Sequence, residues 1–142
     1  MKIRCINNTG ESLRPHEYKT LEKNMIGRFG ATGYSEYGGV RIGENYLVMG
    51  IIIFESYLGY LIDDRGSISV YPCQLFEVID SKISGNWHYR LTSNNENLYP
   101  FIQGFFGYYE LCFVENYYVN LIIEMETEAQ NIYFRRKEEM EM

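Results

Sequence analysis

The chain of 142 residues is poor in the side chains that cross-link, hold metals or act as nucleophiles: three Cys, two His and one Trp. Cys5, Cys73 and Cys112 are odd in number, far apart and without a C-x-x-C pair, so neither a disulfide framework nor a zinc site is indicated. His16 and His88 have no H-x-x-x-H spacing, and no Ser or Cys sits in a nucleophile-elbow context. No cofactor or metal is expected. The longest apolar run, Leu47 to Phe54, is too short to span a membrane. The first residues, MKIRCINNTG, lack the apolar stretch of a secretion signal. Reduced thiols and a cytoplasmic location are the expectation.

Positive charge is scarce as well. Thirteen Lys and Arg face nineteen acids, of which only Asp63, Asp64 and Asp80 are aspartates, leaving a net charge of −6. That disfavours a nucleic-acid binder, which needs cations for phosphate, and fits steering toward a basic partner. Charged residues make up 23% and hydrophobic ones 46%, which excludes wholesale disorder and predicts one domain over residues 1–142. What is abundant is tyrosine, fourteen residues, with eight Phe beside it. Tyr fits half-buried strand faces and binding surfaces alike.

The core of the expected fold is Val40 to Tyr89. Ile3 and Cys5 alternate into a short first strand, and residues 14–25 offer a helical turn or two with Leu13, Tyr18, Leu21 and Met25 on one face. Residues 27–39 (GRFGATGYSEYGG) hold five Gly in thirteen positions and read as a loop. They lack the Lys-Ser/Thr ending of a phosphate-binding loop, while Tyr34, Glu36 and Tyr37 give them an interface-like composition. Beyond the turn at Gly43, Tyr46 and Val48 alternate into Ile51–Phe54 as one strand, and YLGYLI pairs with it. Asp63-Asp64-Arg65-Gly66 is the strongest turn signal, and Pro72 stops the strand that follows. Trp87 is expected as a core anchor beneath the sheet. From Leu121 to about residue 139 the spacing of Leu121, Ile122, Met125, Ala129, Ile132 and Tyr133 predicts a C-terminal helix. The architecture expected is α+β: a curved antiparallel sheet of about five to seven strands or a partly open small barrel, with that helix across it.

Chemistry is thin. Asp63 and Asp64 near Glu55 could divide acid and base roles, though a tight turn asks for the same residues. His16 or His88 could act as a base, and Cys73 as a nucleophile or, more simply, a small buried hydrophobe. Glu124, Glu126 and Glu128 form an acidic stretch, either a solvated helix face or a surface for a basic partner.

The runs VRIGENYLVMGI (40–51), GYLIDD (59–64) and PCQLFEVIDSKISGNW (72–87) resemble small bacterial immunity proteins, which are encoded beside polymorphic or contact-dependent toxins and neutralise them. Tyr46, the Asp63-Asp64 pair, the LFEVID run and the Ser84/Trp87 pair carry the likeness, over about a third of the chain. The resemblance implies a non-enzymatic inhibitor that covers a toxin's active site or binds next to it. The expected partner is therefore a basic toxin domain, with contacts at Tyr34, Glu36, Tyr37, Asp63, Asp64, Glu124, Glu126 and Glu128. Two other readings stand beside it. One is a ligand-binding or enzymatic barrel with a Tyr/Trp-lined pocket reached by His88 or Cys73. The other is a self-associating accessory protein using the aromatic run Tyr99–Tyr109.

Overall fold

The computed structural model describes all residues from Met1 to Met142. Its strands are β1 (Lys2–Cys5), β2 (Asn45–Leu47), β3 (Gly50–Phe54), β4 (Leu58–Asp64), β5 (Ser67–Pro72), β6 (Phe76–Asp80), β7 (His88–Leu91) and β8 (Ile102–Gly107). Two α-helices follow, α1 (Tyr109–Phe113) and α2 (Thr127–Glu141). No helix is long and apolar enough to cross a membrane.

The α+β class is as the sequence predicts, but the single curved sheet is not. The strands form two antiparallel sheets, β2-β1-β6 and β5-β4-β3-β8-β7, and neither closes into a barrel. The division falls inside the stretch expected as one strand. Val48 donates its N–H to Met1, while the next residue, Met49, donates to Leu61 in the other sheet. Apolar residues run unbroken across this crossing point, so nothing in the side chains marks it.

The pleat of the larger sheet serves two cores. Leu61 and Ile62 are adjacent, fully buried, and point to opposite faces. Leu61 joins Ile52, Phe105, Tyr108 and Leu121 under the helices. Ile62 joins Ile3, Val40, Leu75 and Phe76 between the two sheets. Truncating either side chain to Ala would cost about 2–5 kcal/mol.

The hairpin turn between β4 and β5 is narrower than expected. Asp63 and Asp64 belong to the strand, opposite Ile68 and Ser67, and only Arg65 and Gly66 turn. Their φ values of 52° and 91° fit a two-residue turn with both residues left-handed, which glycine favours.

Two helices also shift. The predicted helical segment at 14–25 is replaced by a 3-10 helix over Glu11–His16 that buries only Leu13 and ends where Glu17 becomes extended. Residues after it form a loop because Arg14 donates to the carbonyls of Glu22, Lys23 and Met25. Tyr18 and Met25, expected on a buried face, are exposed. At the other end, the helix predicted from Leu121 begins as α2 only at Thr127. Val119–Ile123 is a π-type turn, and Met125, with φ at 50°, interrupts the run. Leu121, Ala129 and Tyr133 keep the buried face, but Met125 leaves it.

A glycine pair seats α1. Gly50 and Gly107 lie opposite each other across β3 and β8. A Cβ at Gly107 would stand 2.7 Å from Leu111 and 3.1 Å from both Gly50 Cα and the Met49 carbonyl. The missing side chains are what let Leu111 sink onto the sheet.

Candidate functional site

Seating α1 on β8 leaves a groove of about 850 Å³ between that helix, the π-type turn and the loop after β7. Phe105, Leu111 and Tyr118 underlie it, and Phe113 and Val114 stand half-exposed at its edge. On its rim are three carboxylates, Glu115, Glu124 and Glu126, all exposed and none in an ion pair or side-chain hydrogen bond. Asn95, Asn97, Asn116 and Asn120 add neutral polar groups. The one cation in the lining, Arg90, is already neutralised. Its guanidinium lies 3.0 Å from both oxygens of Glu96, and it also donates to the Cys112 carbonyl. Hydrogen bonds from Arg90, with help from the Ser93 N–H, hold the Glu96 carboxyl below its usual range.

Two of the three non-glycine residues with positive φ border this groove. Asn116 (61°) lines it, and Met125 (50°) stands between Glu124 and Glu126. Asn tolerates the left-handed region, but Met does so only at a cost, and strained backbone of this kind concentrates at binding sites. The strain at Met125 has a visible result. The chain leaves the helical path there and puts the carboxylates on either side of it onto the rim.

Of the eight contact candidates, the structure brings only Glu124 and Glu126 together in this groove. Glu128 is exposed on the first turn of α2, outside the lining. Tyr34, Glu36 and Tyr37 lie in the Gly-rich loop, also outside it. Tyr34 is 66% exposed with the Lys23 ammonium 4.9 Å from its ring centre. Glu36 is exposed and bridges to Thr9 through the backbone. Tyr37 packs edge-on to Tyr71, and burial raises its phenol.

Asp63 and Asp64 are committed inside the molecule, a correction to their reading as turn residues free to meet a partner. Asp63 is buried and accepts from Tyr133, Lys137 and the Gly66 N–H. Asp64 accepts two hydrogen bonds from Arg41, at 3.1 and 2.7 Å, which hold its carboxyl low.

The pocket expected for a barrel is also differently built. Neither His88 nor Cys73 lines the groove. His88 lies edge-on to Tyr109 and Phe113, and burial raises the Cys73 thiol, the opposite of an activated nucleophile. No cluster of three or more His, Cys, Asp and Glu side chains is placed to hold a metal ion. Trp87 packs against the core between the two sheets, as expected, but stays half-buried, edge-on to Phe106 at 5.1 Å, with an indole N–H that finds no acceptor. The aromatic run Tyr99–Tyr109 supplies β8, an inner strand, so Ile102, Phe105 and Tyr108 are core.

Sequence reasoning missed Glu115, Asn116 and Arg90. The one local signal was Glu115-Asn116 between two apolar helical turns, where Asn is the residue that accepts a left-handed break.

Compared with family models, curated proteins and solved structures, the chain finds no match in any of the three.

Proposed function

We propose that this chain is an immunity-type binding protein that neutralises a basic bacterial toxin domain by seating part of it on the acid-rimmed groove. The observation that carries this reading is the trio Glu115, Glu124 and Glu126: unpaired and exposed above an apolar floor. A Lys or Arg side chain entering the groove would meet carboxylates at the rim and the Phe105 and Tyr118 rings below, a pairing that rewards a desolvated cation. The half-exposed Phe113 and Val114 would supply apolar contact around it. Blockade is steric and electrostatic, with no bond made or broken by this chain.

The test is growth rescue. Cells expressing the toxin domain encoded beside this gene should survive when the chain is co-expressed. A folded Glu115→Lys/Glu124→Lys/Glu126→Lys variant should fail to protect them. Full protection by that variant overturns the reading.

A further inference from the structure

Buried tyrosine hydroxyls normally find a hydrogen-bond partner. Five tyrosines are buried in this chain, Tyr46, Tyr108, Tyr117, Tyr118 and Tyr133. Tyr108 and Tyr117 bond each other, Tyr133 donates to Asp63, and Tyr46 accepts from the Arg41 N–H. Tyr118 is the exception. It is 7% exposed and lines the acid-rimmed groove, yet its hydroxyl makes no hydrogen bond. Two polar side-chain atoms are sealed in the protein without a partner, Arg14 Nε and the Trp87 indole nitrogen. The Tyr118 hydroxyl is not sealed, so it opens where its ring borders the groove. Burial raises this phenol, which therefore keeps its proton.

The carboxylates on the rim are spread along it. Glu115 precedes a short helical segment, and Glu124 and Glu126 follow it. Asn120 donates its backbone N–H to the Asn116 carbonyl at 2.9 Å, and Glu126 donates to the Asn120 carbonyl at 2.8 Å. Each step is about one helical turn, so the two ends of the rim stand roughly 10 Å apart along the backbone. The Tyr118 hydroxyl belongs to the segment between them.

These charges restrict what can enter. An anion would face three unpaired carboxylates and find no free cation, because Arg90 is taken up by Glu96. A metal ion would find no three acidic, His or Cys ligands converging on one point. An organic cation with an apolar body matches both rim and floor. The volume of about 850 Å³ lies within the roughly 300–1,000 Å³ of small-molecule sites.

We propose that the groove binds a free linear aliphatic polyamine. One terminal ammonium lies at Glu115 and the other at Glu124 and Glu126, methylenes cover the apolar floor, and an ammonium donates to the Tyr118 hydroxyl. More than one charge is needed because carboxylates stand at both ends, and methylene spacers are needed because the floor between is apolar. This binding rests on the groove's own chemistry and not on the toxin reading. It is measured without a toxin, so either can fail alone.

Calorimetric titration of the full chain with spermidine at low salt tests it. One saturable site is expected, with a dissociation constant on the order of tens of micromolar and at least about tenfold tighter than that of butylamine. Magnesium chloride at the same concentration as spermidine should not displace it. Tyr118→Phe keeps the ring and should weaken spermidine about tenfold, since a hydrogen bond to a charged group is lost. Should that variant unfold, NMR on the unaltered chain decides: spermidine methylenes should show Overhauser contacts to the Tyr118 ring. No saturable binding, butylamine as tight as spermidine, displacement by magnesium, a Tyr118→Phe chain that binds unchanged, or methylenes without contact to Tyr118 overturns the proposal.

Discussion

Tyr133 donates a 2.9 Å hydrogen bond from its hydroxyl to Asp63, seventy residues away, and so fastens the C-terminal helix to the end of β4. Lys137, one turn further along α2, reaches the same carboxylate oxygen at 2.7 Å. Burial raises the Tyr133 phenol far above its usual value, with the Asp63 charge adding to it, so the hydroxyl remains a donor. Asp63→Ala would leave Lys137 and Tyr133 without their acceptor and should cost about 3 kcal/mol, against about 1 kcal/mol for Tyr133→Phe. Urea unfolding of both variants checks this. Equal effects would mean that the carboxylate is not the anchor.

The glycine seat makes a second prediction. Gly107→Ala has backbone on two sides and cannot be relieved by a side chain swinging away. It should cost about 2–3 kcal/mol through overpacking and lift Leu111 from the sheet. Because Leu111 also underlies the groove, binding of the toxin domain should weaken in the same variant. Gly85→Ala, where a Cβ meets only open space, is the control and should change neither.

Stability should fall at both ends of the pH scale. Asp64 and Glu96 are held low by Arg41 and Arg90. Burial alone would raise Glu110, but the hydrogen bond from Arg136 and the Arg135 and Arg136 charges bring it below its usual value. A depressed carboxyl stabilises the fold above its unfolded pKa of about 4, and that contribution disappears as pH drops through the folded value. Thermal midpoints should therefore decline from about pH 5 downward, less steeply in Glu110→Gln. The tyrosines act with the opposite sign. Burial pushes Tyr57 up to about 12 and raises Tyr117 and Tyr118 further. Their stabilisation is full below the unfolded value of about 10 and is lost as pH rises beyond it. Spectrophotometric titration should show that some of the fourteen tyrosines ionise only together with unfolding, and ionisation of all fourteen in a folded chain would contradict the burial.

Met125 holds its left-handed backbone at a cost that glycine would not bear. Met125→Gly should raise stability by about 1 kcal/mol. With the side chain 66% exposed beside the groove, the same change should weaken partner binding. Differential scanning calorimetry and a binding titration together read both. A variant neither stabilised nor weakened would detach this residue from the site.

Much of the fold is written in local pattern. Leu58–Ile62 is a short, mostly apolar run of strand length, Arg65-Gly66 turns, and Pro72 ends a strand, each for a reason visible in the residue itself. β8 is hidden because an inner strand with both faces covered has no polar side to alternate with, and its glycines read as loop. The crossing between β2 and β3 is hidden because apolar residues run straight through it, and the break at Met125 because methionine is an ordinary helix former. The groove was half legible. Glu124 and Glu126 stand out as a charged stretch, but Arg90, Phe105 and Glu115 join them only through tertiary packing, and the commitment of Asp63 to Tyr133 spans too much sequence to be read.

The central claim is that Glu115, Glu124 and Glu126 draw a basic toxin domain into the groove, and the association rate measures it most directly. Stopped-flow mixing at low salt should give a rate constant that falls about tenfold or more when ionic strength is raised. Reversing the three carboxylates to lysine should slow association at low salt by about 10–1,000-fold and remove the salt dependence. Equal rates for the unaltered chain and the triple variant, with the same response to salt, would contradict the account.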